Sequence, residues 1–408
     1  FEDLPIIPEH WELSISSDKR EQFKVLKALL NNKKFEYVVN ACDAGREGEL
    51  IFRRVYELSK SRMPVQRLWI SSMEDDVVRR GFSDLKDANT YQGLADAAVS
   101  RAQADWLVGM NATRAYTTKY SRTLRAGRVQ TPTLAMIVKR ESDIRSFKSE
   151  PYYYVLLDMD GVRALSDKIS DKREAEQVAS RCNGKDVSVV SVQKKEERAN
   201  PPKLYDLTTL QREANRFYGL TAKQTLELAQ MLYEKKLITY PRTDSRFLTE
   251  ETGKVLPELL KIVYRRFGFE EAFGAGMPMM DISKVVNDKK VSDHHAILIT
   301  MQLNYIDFEE LSDEEKKILF LIAQRMLAAV TDPFVYEKSK AELLCEGITF
   351  HVNARKPVSL GWKQYESFWR KRTGAAASDT EKEEDDGEQW GLPGQLKAED
   401  VLKDAKTK

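Results

Sequence analysis

The sequence predicts a multidomain chain in which an α/β unit is followed by mainly helical and then β-rich units. Three observations predict it. At 408 residues the chain has room for about two to four domains with real cores. Residues 35–70 read as strand, helix, strand. Residues 151–202 alternate apolar and polar side chains in strand-like runs. The composition, 42% apolar and 32% charged, is that of a soluble globular protein. No apolar run approaches the ~20 residues of a membrane span. The first residues are charged and Phe1 is not an initiator Met, so no signal peptide is expected and the sequence reads as a fragment or a processed chain.

Charge is uneven along the chain. Residues 378–388 hold seven acidic side chains against Lys382, a net of −6 that leaves +7 on the remainder of a chain whose total is +1. A like-charge block of this kind reads as a solvated linker. The mildly basic remainder permits nucleic-acid binding. Cys42, Cys182 and Cys345 are odd in number and form no Cys-x-x-Cys, which excludes a zinc ribbon and fits a reducing cytoplasm.

Phe35–Ala41 reads as a short buried strand, and Asp43-Ala-Gly-Arg-Glu-Gly-Glu49 follows at once. A helix is expected over 47–58, with Leu50, Ile51, Val55 and Leu58 on one face, then a strand at Arg67–Ile70. Carboxylates at the carboxyl end of the first strand sit where open α/β sheets place their sites. Asp43, Glu47 and Glu49 are candidate Mg²⁺ ligands through oxygens and waters. The bland alternative makes Asp43 a helix N-cap and the glutamates partners of the helix dipole. Residues 92–118 are Ala-rich and helical, with Arg101, Asp105, Asn111 and Arg114 interrupting the apolar pattern. Lys119, Arg122, Arg125 and Arg128 then supply cations close to Tyr116 and Tyr120. Cations interleaved with rings suit a single-stranded backbone and its bases; plain exposed surface is the other reading.

Strands are expected at 152–157 and 187–192, with a boundary at Asn200-Pro-Pro202. Thr208–Gln211 and Thr221–Gln224 each match a capping box, which predicts helices over 208–217 and 222–235 in a helix–turn–helix spacing. They feed into Leu237-Ile-Thr-Tyr-Pro-Arg-Thr-Asp-Ser245. Pro241 bars Tyr240 from the α region, so Tyr240 is expected to project from a stiff turn. A phenolate can attack a phosphodiester and keep the phosphoryl group as an ester. Arg242 can hold the phosphate bidentately, and Asp244 can orient Arg242 or cap the next helix. The alternative is a buried Tyr at a helix-to-strand corner beside an Arg–Asp surface pair. His294 and His295 are adjacent and therefore poor joint ligands for one metal ion. Ser312–Glu315 caps an amphipathic helix to about Val330, strands return over 335–353, and Gly361-Trp362 closes that stretch.

Three segments resemble type IA DNA topoisomerases. Leu237–Ser245 resembles their active-site segment, its Tyr-Pro form that of the bacterial topoisomerase III branch. Asp43–Glu49 resembles the acidic motif of their Toprim domain, and Ala126-Gly-Arg-Val-Gln-Thr-Pro132 a further signature. The three stand in the family's order. The resemblance implies a toroidal core with Toprim, winged-helix-like and β-rich gate domains. It divides the chain into a partial Toprim domain (1–88), part of a helical single-strand-groove domain (89–147), and the first part of a β-rich gate domain (148–203). A winged-helix-like domain carrying Tyr240 (204–334) follows, then the return of the gate domain with the acidic linker (335–408). Gly391–Leu402 resembles a further strand of the family.

The resemblance implies an ATP-independent, Mg²⁺-dependent isomerase; no Gly-x-x-x-x-Gly-Lys-[Ser/Thr] occurs. Tyr240 forms a 5′-phosphotyrosyl link, Arg242 and His294 stabilise the phosphate, Asp244 completes the set, and a strand passes before resealing. Arg101, Asp105, Arg114, Arg122, Arg125, Arg128 and Gln130 then contact single-stranded DNA. Three departures stand out. Gly45 replaces the usual second Asp of the acidic motif, and Ile299 replaces the usual Pro after the histidines. The family's first Toprim strand, ending Glu-Lys-Pro-Ser, does not precede Phe1; the sequence reads as a fragment lacking it and a C-terminal part, which puts the isolated chain's activity in question. A RecQ-type helicase and a single-strand-binding protein are family-level partners; a bacterial, cytoplasmic, nucleoid-associated monomer is expected. The competing class is a non-catalytic winged-helix DNA-binding protein. A tyrosine recombinase fits poorly because His294 follows Tyr240, and a Toprim nuclease or primase has no use for Tyr240.

Overall fold

The structure is a computed structural model that describes residues 3–70, 75–159, 161–274, 276–277, 280–291, 293–374, 389–390, 401–402 and 406–407. The acidic linker expected at 378–388 lies outside these residues. Two compact units result, residues 1–148 and 149–408.

In unit 1, helix α1 (Arg20–Leu30) precedes strand β1 (Val38–Asn40), helix α2 (Arg46–Ser59) and strand β2 (Val65–Arg67). Strands β1 and β2 pair in parallel, Val38 opposite Val65 and Asn40 opposite Arg67. Parallel neighbours need a crossover, and α2 supplies it. Strand β2 starts two residues before the expected position and ends at Arg67. Helix α3 (Asp75–Ser83) and strand β3 (Lys86–Asp87) complete the sheet, β3 antiparallel to β2. Helix α4 (Gln92–Tyr120) is a single 29-residue helix that packs on α2. It stops at Ser121, in a left-handed conformation. Helix α5 (Gln130–Ser146) follows, with Pro132 in its first turn, where a missing N–H costs nothing.

Unit 2 begins with strands β4 (Leu156–Met159) and β5 (Val162–Ser166), helix α6 (Lys172–Cys182) and the long strand β6 (Val187–Ala199). A helical segment is then inserted: α7 (Leu207–Tyr218), α8 (Ala222–Glu234), α9 (Glu250–Arg266), α10 (Phe269–Phe273) and α11 (Asp313–Ala329). The chain returns through β7 (Phe334–Cys345) and β8 (Ile348–Ser359), then helix α12 (Lys363–Thr373) and the short strands β9 (Gln389–Trp390), β10 (Val401–Leu402) and β11 (Lys406–Thr407). The sheet runs β10-β6-β7-β8-β5-β4-β11, with β9 against β8. The insertion therefore leaves from β6 and re-enters on its neighbour β7, so its two ends are tied by one antiparallel ladder.

Caps and burial depart from expectation in two places. Helix α8 has the Thr221–Gln224 capping box, but α7 is capped by Asp206, whose carboxylate accepts from the Thr209 amide. Asp206 stands two residues before Thr208 and wins because its carboxylate also pairs with Arg246. Helix α11 keeps its Ser312–Glu315 capping box yet is not amphipathic: every residue from Ile318 to Ala329 is buried. Helices α7, α8, α9 and α12 surround it, so α11 is the centre of the core, not its edge. Arg325 tolerates this by pairing with Glu213 and lying 4.1 Å from the Tyr205 ring centroid. Trp369 on α12 is fully buried in the same core, edge-on to Phe217 at 4.7 Å. Trp369→Ala is expected to lower the stability of unit 2 by about 3–5 kcal/mol, read from equilibrium denaturation.

Candidate active site

Tyr240 lies on an extended segment, and the segment is extended because it has a partner. Lys236 takes a left-handed conformation just after α8 and turns the chain back. Leu237–Thr239 then pairs with Leu298–Thr300. Thr239 N–H donates to the Leu298 carbonyl at 2.9 Å and Thr300 N–H to the Leu237 carbonyl at 3.0 Å, around the bridge between Ile238 and Ile299. The Thr239 hydroxyl accepts from Leu298 N–H at 2.9 Å and donates to the Ala296 carbonyl at 3.3 Å. Further along, the Thr243 hydroxyl donates to the His294 carbonyl at 2.9 Å, and Leu207 N–H donates to the Thr243 carbonyl at 3.0 Å. Three stretches, 205–207, 237–245 and 294–300, are thus tied into one block.

Burial alternates along this block. Thr243 and Ser245 point inward, while Arg242 and Asp244 are exposed on the other face. Asp244 does not cap the next helix; Thr249 does, accepting from the Thr252 amide. Tyr240 does not project into solvent either. It is only 9% exposed, because Tyr233 lies edge-on to its ring at 5.4 Å and His294 lies tilted over it at 4.4 Å. Of the adjacent histidines, His294 is the one against Tyr240. The His295 ring turns away, its Nδ1 2.7 Å from the Ala296 carbonyl, and burial lowers its pKa so that the ring is neutral at neutral pH. Arg246 pairs with Asp206 at 2.8 Å. Burial would raise the Asp206 carboxyl, but the Thr209 hydroxyl and amide and Arg246 together hold it below the usual carboxylate range. Nothing in the sequence singled out Thr239, Thr243, Asp206 or Arg246; the inward placement of alternate Thr and Ser residues was the one available signal.

In unit 1 the acidic turn follows β1. Asp43 and Glu47 are exposed, whereas Glu49 is fully buried. Helix α2 starts from Gly45 with no side-chain cap, so Asp43 is not its N-cap. Glu49 Oε1 accepts from Arg53 Nε at 2.8 Å; its Oε2 accepts from Asn40 Nδ2 at 3.0 Å and lies 3.2 Å from Arg67 Nε. Both oxygens are engaged, and Glu47 and Glu49 leave the helix on different sides, as residues two apart must. Among the described residues no group of three or more His, Cys, Asp or Glu side chains is placed to hold a metal ion. Glu49, buried with both oxygens engaged, is thus set apart from the exposed Asp43 and Glu47 of the expected trio.

The remaining candidates follow α4 into α5. Arg101 lies 3.7 Å from Glu47 and 4.0 Å from Asp105. Asp105 is hydrogen-bonded by Arg128, which holds its carboxyl below the usual range. Arg114, Arg122, Arg125 and Gln130 are exposed, and Tyr116 and Tyr120 stack at 6.4 Å on the outer face of α4. Glu47, Arg101, Asp105 and Arg128 thus form a chain of alternating charge from the acidic turn to the loop before α5.

A sequence profile described as DNA topoisomerase matches residues 89–406. The chain belongs to that DNA topoisomerase family. It is 41% identical to the DNA topoisomerase 3 of Bacillus licheniformis over 394 residues, which are 94% of this chain and 53% of that protein. It is 41% identical to the DNA topoisomerase 3 of Bacillus subtilis over 398 residues, 95% of this chain and 53% of that protein. The chain spans about half the length of these curated relatives. They bear out the resemblance to the bacterial topoisomerase III branch of type IA enzymes. The solved structure of full-length topoisomerase I from Thermotoga maritima shares the fold at a TM-score of 0.73 and 22% identity, covering 98% of this chain and 63% of that one. No helix among the described residues is long and apolar enough to cross a membrane.

Two outcomes follow for a chain folded this way. Thr239→Val keeps the shape but leaves the Leu298 N–H without its hydroxyl acceptor, so stability is expected to fall by about 1–3 kcal/mol. Hydrogen exchange at the Leu298 amide should accelerate in step. A Cβ at Gly48 would stand 2.1 Å from the Asp43 carbonyl oxygen. Gly48→Ala is expected to displace the acidic turn and destabilise unit 1 although Ala is the better helix former; a thermal melt at or above the parent's would contradict this close approach.

Proposed function

We propose that this chain carries the strand-cleaving machinery of an ATP-independent type IA DNA topoisomerase. The single observation behind this reading is the Tyr240 block: a phenol fixed against an imidazole at 4.4 Å, beside the exposed Arg242 and Asp244. In the proposed reaction the Tyr240 hydroxyl oxygen attacks a DNA phosphorus. The phosphorus–oxygen bond to the 3′ side breaks, a 5′-phosphotyrosyl ester forms, and the proton ends on the departing 3′-hydroxyl. Arg242 and His294 stabilise the charge on the phosphate oxygens during both attack and resealing. Asp244 orients Arg242 from the same exposed face. The phosphoryl ester keeps the energy of the broken bond, so resealing needs no nucleotide triphosphate. A second strand passes while the break is open, which relaxes or decatenates DNA.

Single-stranded DNA is the proposed substrate. Arg101, Asp105, Arg114, Arg122, Arg125, Arg128 and Gln130 are its proposed contacts, with bases stacking on Tyr116 and Tyr120. A phosphate backbone arriving here competes with Asp105 for Arg128 and with Glu47 for Arg101. Mg²⁺ is the proposed cofactor; Asp43 and Glu47, the exposed acids of the expected trio, would hold it, and no step is routed through it. A RecQ-type helicase, a single-strand-binding protein and a nucleoid location are the setting this reading brings with it.

The test is a denaturing trap. A 3′-end-labelled single-stranded oligonucleotide is mixed with this chain, and with a version extended at its N terminus, then quenched. Label on the protein, absent in Tyr240→Phe, is the expected result with at least one of the two. Arg242→Ala should lower trapped adduct by roughly 10²-fold. Adduct surviving Tyr240→Phe, or no adduct with either version despite DNA binding, leaves the non-catalytic DNA-binding protein as the better reading.

A further inference from the structure

The acidic turn of unit 1 is held from behind by one guanidinium. Arg67 is fully buried at the end of β2. Its Nη1 reaches the carbonyls of Asn40 at 3.0 Å, Cys42 at 2.6 Å and Leu68 at 2.9 Å, and its Nη2 donates to the Asp43 carbonyl at 2.6 Å. Its flat face lies 5.1 Å from the Trp69 ring centroid, and Trp69 stacks on Tyr91 at 5.0 Å. Backbone carbonyls that leave a strand end without sheet or helix partners must find donors elsewhere. One planar fork supplies several of them here, which an ammonium cannot do.

Glu49 is the counter-charge. It lies against Arg67, accepts from Asn40, and accepts from Arg53, which in turn donates to the Ala88 carbonyl at 2.9 Å and to Gln92 at 3.2 Å. Glycine at 48 lets the first turn of α2 lie flat on the Asp43 backbone. The ends of β1 and β2, the start of α2 and the approach to α4 therefore meet at this one buried pair.

We propose that Arg67 and Glu49 form a positioning clamp that fixes the Asp43–Glu47 turn, and that Glu49 is no ligand of any divalent cation the turn holds. Asp43 and Glu47 are the exposed acids of the turn. What the turn contributes to catalysis rests on the topoisomerase reading; the clamp itself does not.

The experiment separates the two roles. Thermal unfolding is followed in EDTA, so no cation contributes. Glu49→Gln and Arg67→Lys are each expected to lower Tm by roughly 5 °C or more: the first leaves the Arg67 charge without its partner, the second leaves buried carbonyls without the fork's donors. The double variant should be little worse than the worse single one, since both remove the same interaction. Asp43→Asn and Glu47→Gln should stay within about 1 °C of the parent, as exposed substitutions do. Mn²⁺ binding is then measured by the spin resonance of free Mn²⁺, at a temperature where every variant is folded. Asp43→Asn and Glu47→Gln should weaken it. Arg67→Lys should weaken it roughly tenfold or more although no carboxylate has changed, the mark of a positioning residue. A Glu49→Gln variant with unchanged Tm in EDTA and abolished Mn²⁺ binding would make Glu49 a ligand and overturn the clamp. Arg67→Lys with lowered Tm and parental Mn²⁺ affinity would reduce the pair to scaffold and overturn the positioning role. Failure of the Tyr240 trap alongside the expected melting and Mn²⁺ results would count against the topoisomerase reading alone.

Discussion

The unit that carries Tyr240 depends on a pairing only three residues long. Leu237–Thr239 runs beside Leu298–Thr300, and that pairing, with the Thr243 hydroxyl on the His294 carbonyl, brings His294 to Tyr240. The two partners are far apart in sequence, so closing the loop between them costs chain entropy. The offset comes from the core beneath: Leu237, Ile238, Ile297 and Ile299 are fully buried against α11 and its neighbours. The buried Thr239 hydroxyl satisfies the one amide that a short pairing would otherwise leave to water. Rigidity at the phenol is thus a product of apolar packing underneath and of two threonines at the surface of that packing.

Each unit also buries an arginine, and the two do different work. Arg325 sits within α11, paired with Glu213 and lying against Tyr205, whose hydroxyl bonds the same carboxylate. Tyr205 is also the residue whose carbonyl accepts from Ile297 N–H, so this charged cluster braces the Tyr240 block from below. Arg67 instead gathers backbone carbonyls at a strand end. Removing one member of either cluster leaves a charge stranded in the interior, which costs far more than a surface pair of the same geometry.

Much of the fold was legible because local rules agreed with the tertiary result. The βαβ unit and the Thr221 and Ser312 capping boxes appear where expected, with β2 two residues early and β6 running on to Ala199. The misses have physical causes. Asp206 displaced the Thr208 box because a tertiary partner, Arg246, sits beside it. Helix α11 reads as amphipathic because Glu314, Lys316 and Lys317 crowd its start, while the next three turns are buried all round, Gln324 and Arg325 included. Tyr240 was expected outside because proline sets the backbone there, but the backbone does not decide which ring covers the phenol. Tyr233 and His294 do, and neither contact is local. Arg67 carried no sequence signal at all: a single arginine closing a strand looks like any other until its burial is known.

The heptapeptide Asp43–Glu49 shows how a motif can mislead by its density of acids. Read as composition, three carboxylates within seven residues suggest one cation site. Read as a helix start, Glu47 and Glu49 are separated by about 200° around the axis, so one faces solvent when the other faces the sheet. That geometry was available from the sequence once the helix was expected from residue 47, and it already divides the acids into an outward and an inward set. Burial then decides which work each set can do. A fully buried carboxylate between two guanidinium groups has both oxygens engaged and no path to solvent, whereas Asp43 and Glu47 are exposed. Gly45, inside the same turn, adds no acid, so the outward set is Asp43 and Glu47, and the arginine behind them holds the turn that carries them.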